Sequence, residues 1–283
     1  MTNATRWGII GTGGIARTFA RDLATSGVGV VAAIGSRDAA SAARFAADYS
    51  VARAHSSYEA LVDDDGIDVV YVATPHPFHH ANARLALEHG RPVLVEKAFT
   101  MTADEARDLV ALARERHLFL MEAMWTRFLP HVAALRTLLA GGSLGELVAL
   151  YADHGQWFEL DAHHRLFDPA LGGGALLDLG VYPVSFASMV LGPPERVVSM
   201  VDPAFSGVDG QVSMIFGYSH GAQALLTCTS RARTPTSAVV VGTKARVEIE
   251  GDFYAPTAFD VVTRDGRRER FAFDTVGRGL HYE

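Results

Sequence analysis

The chain has 283 residues, a formal net charge of −7, 49% hydrophobic residues and 9% aromatics. That length suits two domains, and the apolar content builds sizeable cores and lies far from the composition of disordered segments. An acidic balance without a long basic run argues against nucleic acid or an anionic membrane as the main partner and for a small molecule.

The amino terminus shows no basic segment followed by an apolar stretch, and no apolar run reads as membrane-spanning, so a cytoplasmic address is expected. The single cysteine, Cys228, lies in an apolar stretch and is expected to be a buried, inert thiol.

Residues 1–122 alternate short β-branched runs with amphipathic stretches, the pattern of a parallel sheet covered by helices on both faces. Strands are predicted at 7–10, 28–34, 69–73, 92–95 and 119–122, and helices at 15–25, 40–48, 78–89 and 103–116. Directly after the first strand, Gly11-Thr12-Gly13-Gly14-Ile15-Ala16 fits G-x-G-x-x-A. Gly11 would allow the tight turn, Gly13 would let the backbone approach a pyrophosphate, and Ala16 would let helix pack on strand. This predicts an α/β Rossmann domain that binds a dinucleotide through Gly11, Thr12, Gly13, Gly14 and Ile15, against the alternative of an ordinary Gly-rich βα turn.

The second strand ends in Ile34-Gly35-Ser36-Arg37-Asp38, without the acid that NAD-dependent proteins usually place there for the ribose 2′-hydroxyl. Ser36 and Arg37 can instead pair with a 2′-phosphate, which favours NADP, with NAD still open. Asp38 is read as the cap of the following helix.

Residues 123–283 change character. Helical stretches at 131–140 and 175–191 frame a strand at 147–154. Strand-like runs follow at 197–201, 211–218, 222–231, 238–241, 245–249, 259–263 and 268–273, without long helices between them. An α+β domain with a large open, mainly antiparallel sheet is expected.

A Glu96-Lys97 pair at a strand end, behind the fingerprint and the loop Thr74-Pro75-His76, resembles the glucose-fructose oxidoreductase/inositol dehydrogenase/MocA family. Residues 121–128 (MEAMWTRF), 165–169 (RLFDP) and 172–183 (GGGALLDLGVYP) look like the branch that holds dihydrodiol and NADP-dependent xylose dehydrogenases. The family usually reads Glu-Lys-Pro, and here Ala98 replaces the proline. On this resemblance a further helical segment would follow Glu283. The resemblance implies an NADP-dependent oxidoreductase acting on a CH–OH or C=O centre of a sugar, polyol or trans-dihydrodiol, assembled as a dimer or larger homo-oligomer. It also sets Thr74, Pro75, His76, Glu96 and Lys97 along the cofactor.

Oxidising an alcohol requires a group that removes the hydroxyl proton as hydride leaves, and free tyrosine, with a pKa of about 10, is a poor base. An ammonium roughly 4 Å from a phenolate stabilises it by about 4 kcal/mol at an effective dielectric near 20, enough to make tyrosine workable. The resemblance assigns acid/base work to Tyr182, the electrostatic role to Lys97 and substrate orientation to Asp178. Asp178 and Tyr182, four apart on a helical stretch, share one face.

Trp125 and Phe158 are read as apolar walls, and Arg127 and Arg165 as contacts to substrate or cofactor phosphate, with core aromatics and surface ion pairs as the equal alternative. His79 is expected to cap its helix or touch the nicotinamide side, and His76 likewise. No metal is expected, because no histidine or cysteine spacing repeats a metal-binding pattern. Two other functions stay in view: a keto-sugar reductase of the same fold, and a non-catalytic NADP-binding regulator.

Overall fold

The computed structural model describes residues 4–283 and divides into two compact units, one running to Ala123 and including Val276–Glu283, the other spanning Met124–Thr275. The sequence reading put the chain's last residues in the second domain. In the structure they group with the first, because the buried Asp22 carboxylate accepts hydrogen bonds from the backbone of Arg278 (3.1 Å) and Leu280 (2.9 Å).

The first unit runs β1 (Thr5–Ile10), α1 (Gly14–Ser26), β2 (Gly29–Gly35), α2 (Ala39–Tyr49), β3 (Arg53–His55), α3 (Tyr58–Val62), β4 (Val69–Val72), α4 (His79–Glu88), β5 (Val93–Glu96), α5 (Ala103–Glu115) and β6 (Leu120–Ala123). Its six parallel strands lie in the order β3-β2-β1-β4-β5-β6, so the strand order reverses between β1 and β4. Ligands bind outside the carboxyl ends of the strands at such a switch point. All four residues of β4 and of β5 are buried, which explains their near-continuous apolar runs. The sequence reading omitted β3 and α3: Arg53-Ala54-His55 is a three-residue strand with no apolar run to signal it. Thr102 and Glu105 cap α5 reciprocally, and Asp38 caps α2 as expected.

The second unit contains α6 (Pro130–Ala140), β7 (Leu147–Gly155), α7 (Val181–Leu191), β8 (Arg196–Pro203), β9 (Asp209–Gly217), β10 (Gln223–Thr229), β11 (Ala238–Gly242), β12 (Ala245–Ile249), β13 (Phe259–Thr263) and β14 (Arg268–Phe271). The strands form one sheet, β14-β13-β12-β11-β7-β10-β9-β8, antiparallel throughout except for the parallel pair β7–β10. Alternation of buried and more exposed residues along β9 and most of β10 separates a covered face from an open one.

One helical stretch, Pro169–Leu191, is long and apolar enough to cross a membrane by length and composition (mean hydropathy 1.5), which corrects the reading that no run reaches that length. It packs as a core helix: α7 lies against β7 and β10 with Phe186 and Ala187 fully covered. Beneath the turn before α7, Gly180 passes so close to β10 that a Cβ would sit 2.8 Å from Cys228 Sγ. Cys228 is fully buried, and burial pushes its thiol up to about 12.

Candidate active site

The turn from β1 into α1 is built of backbone. Gly11 has φ +105°, and a Cβ on it would lie 2.8 Å from the Ala73 carbonyl oxygen, so only glycine serves there. A Cβ on Gly13 or Gly14 would meet nothing within 4 Å, and no side chain caps α1. These two glycines therefore leave a cradle of backbone amides at a helix amino terminus facing open space, which fits a pyrophosphate.

At the end of β2, the Asp38 carboxylate is engaged by the backbone N–H groups of Ala40 (3.2 Å) and Ser41 (3.1 Å) and the Ser41 hydroxyl (2.6 Å), contacts that hold it below the usual carboxylate range. Arg37 lies 5.4 Å from the Phe78 ring centre and forms no ion pair among the described residues. Ser36 Oγ accepts from the Asp38 backbone at 3.2 Å. The cationic residue is thus free to meet a phosphate, while the nearby acid is occupied.

On the other side of the switch point, His79 is fully buried, with Nε2 2.7 Å from the Thr74 carbonyl and Nδ1 2.8 Å from that of Ala98. It therefore ties the Thr74-Pro75-His76 loop to the turn after Lys97, and it does not cap its helix, as the sequence reading allowed. Burial holds the imidazole below the ordinary histidine range, against the carbonyls that favour its charged form. Glu96 is buried behind Lys97, accepts from the Tyr71 hydroxyl and from the Lys97 backbone (3.1 Å), and is pushed up to about 7, chiefly by desolvation.

The second unit builds its site from side chains. Residues 176–180 form a π-helical turn that carries Asp178 and leads directly into α7, whose second residue is Tyr182. Asp209 of β9 accepts from the Leu176 N–H at 2.6 Å and anchors the start of that turn; a Cβ on Gly174 would lie 2.2 Å from its carboxylate. Arg165 grips the buried Asp178 carboxylate through two parallel bonds of 3.0 and 3.1 Å. The Tyr182 phenol is buried among aromatics, at 5.3 Å between ring centres from His154 and 4.7 Å from Tyr254. The Trp125 indole N–H donates to the phenol oxygen at 3.3 Å. Tyr254 reaches this cluster because Thr126 donates to its carbonyl at 2.7 Å, while His131 is 3.1 Å from that of Phe253.

A profile described as "Oxidoreductase family, NAD-binding Rossmann fold" matches residues 5–124, and one described as "GFO/IDH/MocA C-terminal domain" matches residues 132–248. The chain belongs to the GFO/IDH/MocA family. It is 38% identical over 283 residues to trans-1,2-dihydrobenzene-1,2-diol dehydrogenase of Mus musculus, covering 99% of this chain and 83% of that one. It is 39% identical to the Bos taurus enzyme of the same name, covering 99% and 86%. A 3-ketoreductase from Actinomadura kijaniata, solved with NADP and TDP-benzene, superposes with a TM-score of 0.87 at 28% identity, covering 99% of this chain and 87% of that one. An aldose-aldose oxidoreductase from Caulobacter crescentus gives a TM-score of 0.90 at 23% identity over 99% and 87%, a likeness of fold.

This member of the GFO/IDH/MocA family is thus an oxidoreductase that uses a nicotinamide dinucleotide. Within the second unit, direct bonds join Trp125 to Tyr182 and Arg165 to Asp178. Two other sequence-predicted contacts are occupied elsewhere. Arg127 donates to the Ser185 hydroxyl (2.9 Å) and carbonyl (3.1 Å), and so staples α7. Phe158 packs on His164, with ring centres 5.6 Å apart, and shows no ring contact with Tyr182. Sequence reasoning missed His154, Gln156 and Tyr254, which no motif marks; the Gln156 amide lies 2.9 Å from His154 Nε2 and 3.4 Å from the Tyr254 hydroxyl. Among the described residues no group of three or more His, Cys, Asp or Glu is arranged to hold a metal.

Proposed function

We propose that the chain interconverts a secondary alcohol and its carbonyl on a small polyhydroxylated ring, a sugar or a trans-dihydrodiol, with NADP as the preferred partner. The observation that carries this reading is the buried Tyr182 phenol, one helical turn from the Arg165-clamped Asp178. The names of the full-length relatives and of the NADP-bound ketoreductase point to the same chemistry.

Gly11, Gly13, Gly14 and the first turn of α1 would hold the pyrophosphate, and Ser36 and Arg37 the 2′-phosphate. Bound NADP supplies the hydride acceptor, and NADPH the donor in reverse. Tyr182 takes the hydroxyl proton as the carbon–hydrogen bond breaks, and returns a proton to the oxygen when a ketone is reduced. Lys97 contributes the positive charge that favours phenolate, and Asp178, fixed by Arg165, orients the hydroxyl groups of the substrate. Cellular cofactor ratios, not residues, set the direction. The experiment is a panel of sugars, polyols and trans-dihydrodiols with NADP, followed at the absorbance of the reduced cofactor. Turnover of at least one class is expected; tight NADP binding with no turnover in either direction would favour a regulator.

The reading includes a second copy of the chain as partner and a cytoplasmic location. On the open sheet face Val198, Ile215, Leu225 and Tyr151 stand in register across four strands, all exposed. Beyond Val239 of β11 the same register reaches Glu248, Asp260 and Arg270, where Arg268 and Arg270 pair with acids. An apolar row bounded by charges is self-complementary under a two-fold axis. Ile215→Asp is expected to yield a monomer in light scattering, and an unchanged mass would remove the proposal. A net charge of −7 gives nucleic acid and anionic membrane no purchase.

A further inference from the structure

The indole of Trp125 and the phenol of Tyr182 are both almost fully buried, and the indole nitrogen points its hydrogen at the phenol oxygen from 3.3 Å. An apolar wall needs no such orientation. Indole can only donate, so it occupies a lone pair of the phenol oxygen, and this contact strengthens when that oxygen is anionic. We propose that Trp125 is a fixed hydrogen-bond donor to the Tyr182 oxygen, stabilising the phenolate that accepts the substrate's proton, and is not only a wall. The proposal rests on the acid/base reading of Tyr182.

The surroundings support a dedicated contact. The ring of Tyr182 is fixed from three sides: His154 at its edge, Tyr254 across its face, and α7 behind it. His154 Nδ1 lies 3.1 Å from the Leu179 carbonyl and the Gln156 amide lies 2.9 Å from its Nε2, contacts that hold the ring in place beside the phenol. Trp125 is held through its neighbour, since Thr126 donates to the Tyr254 backbone at 2.7 Å, and Tyr254 stands edge-on to the indole with ring centres 6.1 Å apart. The titratable and charged groups of this unit that face the phenol or share its turn include His154, Tyr254 and the Asp178–Arg165 pair. Trp125 supplies a hydrogen bond to the phenol oxygen from within the unit.

Trp125→Phe keeps an aromatic wall and removes the donor. In the oxidative direction turnover rises with pH as the phenol ionises, so losing a donor to the phenolate moves that limb upward. The expected result is a limb higher by about one pH unit and kcat at neutral pH lower by about tenfold. NADP affinity should be unchanged, and KM should change by less than about threefold.

Placed on Tyr182→Phe, the same substitution should cost nothing further in kcat, because the interaction partner is already gone. A limb at its wild-type position with only KM raised would reduce Trp125 to a wall and overturn the proposal. So would a full additional loss in the double variant. Near-normal turnover in Tyr182→Phe would sink the underlying reading instead, which separates the two failures. A second measurement avoids any folding defect of Trp125→Phe: with 15N-indole labelling, the Trp125 N–H signal of the NADP complex should move with the pH limb and lose that titration in Tyr182→Phe. An indole signal indifferent to both would also overturn the proposal.

Discussion

The two units solve the problem of holding a small molecule with different materials. The first unit builds its nucleotide site from backbone, with Gly11 at φ +105° and too close to the Ala73 carbonyl for a side chain, and Gly13 and Gly14 opening space before α1. The second builds its site from side chains of Trp125, His154, Arg165, Asp178, Tyr182 and Tyr254, drawn from positions up to 129 apart in sequence and locked by mutual hydrogen bonds and ring contacts. A backbone site tolerates few residue types and says which ones. A side-chain site depends on segments that the fold alone brings together. Substitutions in the glycine turn of the first unit should therefore change cofactor affinity, and those in the side-chain cluster of the second unit turnover.

The largest expected effect is that of Tyr182→Phe, which should lower kcat by at least about two orders of magnitude, the scale for losing an acid/base group. Isothermal titration should find its NADP affinity within about twofold of wild type, and a parallel loss of affinity would blur the division. Next is Gly13→Ala. Gly13 has φ −72°, accessible to alanine, and no protein atom would touch the added methyl. The melting temperature should stay within about 2 °C of wild type while the NADP dissociation constant rises at least about tenfold, since a close backbone approach is what the glycine permits. A drop in melting temperature with intact affinity would make the glycine structural.

Arg37→Ala should weaken NADP by about tenfold and NAD by less than about twofold, the difference being one charge-assisted contact to a phosphate. Equal losses would show that the 2′-phosphate is read elsewhere. The smallest effect sharpens the comparison from the folding side. Glu96 is pushed up to about 7 from an ordinary value of 4.5, so the stability it lends is complete below about 4.5 and is lost as pH rises through about 7. Glu96→Gln should flatten the dependence of melting temperature on pH between those values, and a slope unchanged from wild type would assign it to another group.

The legibility of the chain follows the same divide. The glycine fingerprint and the strand-helix alternation of the first unit were readable because each expresses a local rule: a positive φ, a period of hydrophobicity. What escaped is non-local. β3 is three residues of an edge strand with no apolar run, and the return of Val276–Glu283 depends on Asp22, more than 250 positions away. Tyr254 enters the site only because Thr126 holds its backbone, and His154 only because β7 runs beneath the turn before α7. Arg127 shows the same limit: nothing in its motif announces that its guanidinium bonds to Ser185 of α7.

The most direct test of this division of labour is the single-turnover rate of hydride transfer in Gly13→Ala at saturating NADP, measured beside Tyr182→Phe under the same conditions. Once its weaker affinity is overcome by concentration, Gly13→Ala should transfer hydride at the wild-type rate while Tyr182→Phe remains slower by at least about a hundredfold. A Gly13→Ala rate that stays depressed at saturation, or a Tyr182→Phe rate equal to wild type, would contradict the account.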